Sequence, residues 1–211
     1  MRLDDIEVID LNIDDEEEEL YEERAHLRFQ DDEDEVDWKK ELISILCTII
    51  ITVAVVFILK AYVIINAAVP TGSMENTILP GDNILGIRVA YILDEPERGD
   101  VIFFYFPDDE TQKYVKRIIG LPGEKVYINE SKIYINDSEI PLEEEYLKEE
   151  WIAGGGPYEF HVPDGCYFVL GDNRNESADA RYWRNPYVSE DKIIGKAVFT
   201  YYPFHRWGFV K

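Results

Sequence analysis

Hydrophobic and polar positions divide the chain into three regimes. Residues 1–37 are dominated by acidic runs, among them DDEEEE and DDEDE. Leu42 to Leu59 then reads LISILCTIIITVAVVFIL, without a charge, a proline or a glycine. After it come short alternating segments rich in β-branched and aromatic residues, separated by turn signals.

The middle run predicts a membrane-spanning helix. Its eighteen residues, at 1.5 Å of rise each, cover about 27 Å, close to the hydrocarbon thickness of a bilayer. Thirteen of them are Leu, Ile, Val or Phe, each favouring insertion by about 0.3–0.6 kcal/mol. A buried core helix would normally carry a polar stripe, and this run has none. The apolar character continues past Lys60 through AYVIINAAV, and Lys60 can snorkel to the interface. A cleaved leader begins with a short basic region, whereas a long acidic segment precedes this run, so it reads as a permanent anchor. Lys39 and Lys40, with Arg24 and Arg28 behind them, weight the N-terminal flank. The N-terminus is therefore expected in the cytoplasm and the C-terminal part outside it.

The third regime predicts a mainly β domain. KVYI (125–128) and KIYI (132–135) alternate around Asn129–Glu130–Ser131, a hairpin signal. VIFFYF (101–106), CYFVL (166–170) and KAVFTYY (196–202) are further strands. Leu121–Pro122–Gly123, the Gly–Gly–Gly–Pro run at 154–157 and Pro163–Asp164–Gly165 mark turns. Three parts follow: an acidic, disordered cytoplasmic tail over 1–37, a transmembrane anchor over 38–65, and an extracytoplasmic β-rich domain over 66–211. The last is long enough for a core of its own.

Charge changes the picture of the first part. The protein has 211 residues and a formal net charge of -23, of which 1–37 contribute -15. Like-charge blocks repel and stay solvated. The segment reads as a solvated tail, with a docking tail for a basic cytoplasmic partner as the alternative. Nucleic acid is excluded as a partner, because its phosphates would be repelled. Cys47 and Cys166 lie in unrelated segments and are not expected to pair. His26, His161 and His205 are scattered, so neither a zinc site nor a histidine-based triad is expected, and no metal or other cofactor is implied.

Three segments carry candidate chemistry. Pro70 and Gly72 place Ser73 in a loop just after the anchor. Lys116 sits in an apolar strand, flanked by Val115 and Ile118, and shares a face with Tyr114. The run Gly171 to Trp183 packs Asp172, Asn173, Arg174, Ser177, Asp179 and Arg181 into a loop dense enough in hydrogen-bonding groups to position something. Taken singly, these read as a turn serine, a surface lysine and a structural salt-bridge loop.

Together and in order they resemble the type I signal peptidases, membrane-bound Ser–Lys proteases that remove signal peptides from exported proteins. The resemblance runs over roughly residues 40–205. It rests on the anchor, Thr71–Gly72–Ser73–Met74 with Gly81–Asp82, Arg98–Gly99–Asp100–Val101, Lys116–Arg117 with Gly120–Leu121–Pro122–Gly123–Glu124, and the run from Gly171 to Arg181. It implies a partly barrel-like β catalytic domain. It further implies Ser73 as nucleophile, Lys116 as general base and Ser177 as a hydroxyl orienting Lys116. Thr71 would add a second oxyanion donor beside the Ser73 N–H, and Asp172, Asn173, Arg174, Asp179 and Arg181 would brace the loop. Cleavage after small residues at -1 and -3 is implied, with Val69, Met74, Ile78 and Val115 as pocket walls. Implied partners are signal-peptide-bearing pre-proteins, the lipid bilayer and the secretion translocon.

The chemistry agrees with this resemblance. A serine hydroxyl needs a base. A lysine serves only when neutral, which takes burial enough to lower its pKa by about 3 units. Asn76, Ala180 and Arg184 stand where the family usually has Pro, Ser and Gly, which bears on loop shape and substrate preference. Two other readings stay open: an anchored scaffold without chemistry, and a Ser–Lys protease that cleaves itself.

Overall fold

The structure, a computed structural model, describes residues 20–22, 24, 37–92, 94–152 and 156–211. The disordered tail expected over 1–37 therefore lies outside the described residues, apart from residues 20–22 and 24, which are helical, and residue 37. So does part of the turn expected at 154–157. The chain divides into two compact units, Met1–Ala54 and Val55–Lys211.

The apolar run forms helix α1, Trp38–Ile58. Its first turn is started by the Asp37 carbonyl, which accepts from the N–H groups of Lys40 and Glu41. No residue of α1 is buried against protein. Its two threonines are satisfied within the helix: Thr48 Oγ1 donates to the Ser44 carbonyl and Thr52 Oγ1 to that of Thr48, both at 2.8 Å. This suits a surrounding without hydrogen-bonding partners. Continued by a wider turn over Leu59–Val63, it is the one helix among the described residues long and apolar enough to cross a membrane. Ile64 and Ile65, read from sequence as the end of the anchor, already belong to the first strand.

Among the described residues eleven strands follow. They are β1 (Ile64–Ala68), β2 (Asn83–Ile87), β3 (Val101–Tyr105), β4 (Lys113–Gly120), β5 (Lys125–Asn129), β6 (Lys132–Ile135), β7 (Tyr158–His161), β8 (Cys166–Leu170), β9 (Tyr187–Ser189), β10 (Ile193–Tyr202) and β11 (Gly208–Phe209). The larger sheet has the order β1-β2-β10-β3-β4-β8-β9, with β11 on β10. The smaller has the order β6-β5-β7. The fold is mainly β, and the larger sheet forms a half-barrel. Register shifts in β10 and at Ile118–Gly120 of β4 supply local bends of the kind such curvature needs.

The expected hairpin forms with a tighter loop than its sequence indicates. Asn129 pairs with Lys132, leaving only Glu130 and Ser131 in the turn, both at positive φ. That is the backbone sense that follows strand twist in two-residue loops.

The continuous apolar run of β3 has a specific cause. Ile102 and Phe104 enter one core with Ile118, Phe168 and Leu170. Val101 and Phe103 enter a second core with Met74, Ile78, Ile84 and Ile194. A strand buried on both faces has no reason to alternate. β3 pairs with β4, setting Ile102 opposite Lys116 and Val101 opposite Arg117. The two basic residues are thereby drawn into the interior beside the most apolar strand.

Candidate active site

The loop carrying Ser73 is pinned at its base and plugged at its tip. Val69 exchanges backbone hydrogen bonds with Asp82 and Gly81, at 2.9 and 2.8 Å. The Asp82 carboxylate accepts from the Leu79 N–H and from Arg206. After Ser73 the chain makes one helical turn, with the N–H groups of Thr77 and Ile78 both donating to the Met74 carbonyl. Met74 and Ile78, four residues apart on that turn, point together into the second core, 1% and 0% exposed. Ser73, beside Met74, is left at the rim.

Lys116 comes to the same place from β4. Its Nζ is hydrogen-bonded to Ser73 Oγ at 2.6 Å and to the Val115 carbonyl at 3.1 Å, and lies 5.7 Å from the Tyr114 ring centroid. The lysine is 4% exposed. Burial pushes its pKa from the ordinary 10.5 down to about 8, against the opposing pull of the Asp179 and Asp172 carboxylates.

The segment after β8 holds both partners. Asn173 donates its backbone N–H to the Ser73 carbonyl at 3.1 Å and its side-chain amide to the Gly72 carbonyl at 3.0 Å. Asp172 takes a two-pronged bond from Arg117, at 2.8 and 2.7 Å, and a further one from the Thr77 hydroxyl. Asp179 is paired in the same way with Arg181 and also accepts the Gly171 N–H. Arg174 forks onto Glu144 and donates its Nε–H to the Gly171 carbonyl. Buried ion pairs offset desolvation best when forked, and the Arg117–Asp172, Arg181–Asp179 and Arg174–Glu144 pairs all are, although Arg181 Nη1 and Asn173 Oδ1 are buried without a hydrogen-bond partner among the described residues. Gly171 is required by close approach: a Cβ there would overlap the Ser177 hydroxyl and the Ser73 carbonyl oxygen.

A cleft of about 590 Å³ opens beside Ser73 and Lys116. Val69, Met74, Ile78 and Val115, named from sequence as pocket walls, all line it, with Ile65, Phe103 and Ile194. The cleft lies between two strand edges. β1 is the end of its sheet, and β4 pairs with β8 only from Arg117 onward, which leaves that side of Lys113–Lys116 without a neighbouring strand among the described residues. Thr71 is exposed on the cleft wall.

Ser73 and Lys116 are thus brought together, and Asp172, Asn173, Arg174, Asp179 and Arg181 are buried in one network around them. Ser177 differs from the bonding expected for it. Its hydroxyl is buried with no hydrogen-bond partner among the described residues, while the Lys116 amine bonds to Ser73 and to the Val115 carbonyl. The sequence reading also missed Thr77, Glu144 and Tyr146, and named Arg117 only as part of a motif. The available signal for Arg117 was an always-charged side chain in a buried strand, which requires a carboxylate partner.

Comparison with known proteins gives consistent matches. The model of the family described as signal peptidase, peptidase S26, matches residues 42–202. A probable signal peptidase I-1 of Synechocystis sp. is 34% identical over 172 residues, covering 76% of this chain and 82% of that protein. Signal peptidase I of Leptolyngbya laminosa is 34% identical over 168 residues, covering 76% and 80%. Among solved structures, a signal peptidase I of Enterococcus faecalis V583 is 36% identical, with a TM-score of 0.41, covering 49% of this chain and 97% of that one.

Proposed function

The chain belongs to the signal peptidase family, peptidase S26, serine peptidases that remove signal peptides from precursors, and on that premise we propose that it does so by a Ser73–Lys116 dyad. The observation carrying this reading is the 2.6 Å contact between a buried lysine amine and a hydroxyl at the rim of a cleft. Neutral Lys116 Nζ takes the Ser73 Oγ proton as Oγ attacks the carbonyl carbon of the scissile bond. The resulting oxyanion is held by the Ser73 backbone N–H and the Thr71 hydroxyl. The Lys116 ammonium then gives its proton to the departing amine, which leaves as the N-terminus of the mature protein. The Lys116 amine, neutral again, takes a proton from the water that attacks the acyl ester and returns it to Ser73 Oγ as the Oγ–acyl bond breaks, which releases the signal peptide with a free carboxyl group. Ser177 is assigned to this lysine: its unpartnered hydroxyl can hold the amine when Ser73 becomes acylated. Asp172, Asn173, Arg174, Asp179 and Arg181 keep the two reacting segments in register.

The substrate segment is extended. The free edges of β1 and β4 offer main-chain donors and acceptors to a chain laid between them, and side chains then alternate into the cleft. Val69, Met74, Ile78 and Val115 give that cleft an apolar lining, and we assign it to small residues at -1 and -3. α1 is assigned as a single membrane span, with the acidic N-terminus in the cytoplasm and residues 66–211 outside it. The bilayer and the secretion translocon are then partners, since the precursor arrives through them.

The test is cleavage of a pre-protein with an Ala-x-Ala site by the full chain in detergent. Ser73→Ala and Lys116→Ala are each expected to abolish it while leaving the circular dichroism spectrum unchanged. Full activity in either variant would refute the dyad.

A further inference from the structure

Residues 136–157 lie between β6 and β7, and among those described none is in a strand and none lines the cleft. The stretch from Glu144 to Trp151 nonetheless touches all three segments that meet at Ser73. On the nucleophile turn, Asn76 Nδ2 donates to the carbonyls of Tyr146 and Leu147, at 3.1 and 3.4 Å, and Glu75 pairs with Lys148 at 2.6 Å. On the base strand, the Tyr146 ring covers Arg117, whose guanidinium carbon lies 4.0 Å from the ring centroid. On the loop after β8, Trp151 is 4% exposed and lies against both Arg174 and Arg181, at 4.9 and 5.2 Å.

The aromatic contacts fall on cations, and two of these cations have a particular place. Arg117 is the partner of Asp172, and Arg181 the partner of Asp179. Those are the two carboxylates whose charge reaches Lys116. We infer that Tyr146 and Trp151 are positioning residues for the reaction: they hold Arg117 and Arg181 in their forks on Asp172 and Asp179, and so set the field around Lys116. The inference rests on Lys116 being the base.

The groups around Lys116 give the direction of the effect. Asp172 and Asp179 reach it from the loop after β8, the Tyr114 ring from its own strand, and the Ser73 hydroxyl from the nucleophile turn. Arg117 and Arg181 oppose the two carboxylates, Arg174 is tied to Glu144, and Glu176 stands on the cleft wall. A planar guanidinium cancels a carboxylate best in a fixed fork. A ring laid on its face, in a buried setting, removes its freedom to leave. Loosening either fork leaves more negative charge near Lys116. That favours the ammonium over the amine, so less of the base is active at neutral pH.

The experiment is the pH profile of kcat/KM for pre-protein cleavage by the full chain in detergent, with Tyr146→Leu, Tyr146→Phe and Asn76→Gly. Tyr146→Leu is expected to move the limb that rises with pH upward by about 0.5–1 pH unit, lowering the rate near pH 7 about three- to tenfold. Tyr146→Phe keeps the ring over Arg117 and is expected to stay within about twofold of the parent. Asn76→Gly keeps the positive φ of 88° at that position while cutting the segment from the nucleophile turn. It is expected to shift the limb the same way, and it decides the matter should Tyr146→Leu fail to fold. Curves that superimpose on the parent, or fall by one factor at every pH with only a lowered melting temperature, would overturn the inference. A parent curve without any ionisation between about pH 6 and 10 would instead overturn the assignment of Lys116 itself.

Discussion

Lys116 Nζ stands 2.6 Å from Ser73 Oγ although the two residues are 43 positions apart. Each is delivered by a different device. Ser73 rides on a turn anchored by Met74 and Ile78, and Lys116 on a strand whose next residue, Arg117, is locked to Asp172. Asp172 also accepts the Thr77 hydroxyl, so one carboxylate ties the turn and the strand together. The contact is a property of this bracing, and it places an ionisable amine where the fold must bear its desolvation.

That burden is measurable as stability. With the Lys116 pKa at about 8 in the fold and 10.5 as its ordinary value, charging it inside costs about 3 kcal/mol at neutral pH. The sign follows from proton counts. Between about pH 8 and 10.5 the unfolded chain binds more protons, so stability rises with pH across that window and the full cost is present below it. Lys116→Met is expected to abolish cleavage yet stabilise the fold at pH 7 by roughly 1–3 kcal/mol, and to lose the rise at alkaline pH. Denaturant unfolding of the full chain in detergent at several pH values checks both.

Asp172→Asn removes the charge that compensates Arg117, whose side chain is 3% exposed. The expected loss is about 3–5 kcal/mol, because the buried guanidinium loses its carboxylate and keeps only the main-chain oxygens of Gly99 and Lys211 and the Thr77 hydroxyl. Adding Arg117→Met removes that cation and is expected to restore most of the loss, a coupling that a double-mutant cycle in unfolding free energy reads directly. Additive effects of the two substitutions would contradict the shared role given to Asp172.

Ile78, fully buried beneath the cleft, sets its depth. Ile78→Ala is expected to cost about 2–4 kcal/mol of stability. It should also widen specificity, so that a precursor with Val at -3 or -1 gains on the Ala-x-Ala precursor by about tenfold. Competition between the two precursors in one tube measures the ratio. An unchanged ratio would place the specificity elsewhere.

The parts of the fold legible in the sequence were those with their own local signal. The helix announced itself by an unbroken apolar run, and β5 and β6 by alternation around a turn. The strand Ile64–Ala68 was hidden because a buried strand and the end of a membrane helix give the same apolar run. β2, β7 and β9 are short, and each meets its partners across a long connection rather than a tight turn. At the site, Ser73 and Lys116 were legible as types in an ordered set of motifs. Glu144 was not: it is one of three successive glutamates, and what distinguishes it is an arginine 30 residues later. Pairings across such separations are fixed by topology, which no local pattern records. Ser177 shows the converse case, a residue located from motif order whose bonding in the fold differs from the role the motif implies.

The most direct measurement is kcat/KM for cleavage of an Ala-x-Ala pre-protein by the full chain, from about pH 6 to pH 10, compared with Lys116→Ala and Ser73→Ala. A Ser73–Lys116 dyad gives a rate that rises through a single ionisation near pH 8, with neither variant cleaving at any pH. A rate flat across that range, or a Lys116→Ala protein that cleaves with the same profile, would contradict it.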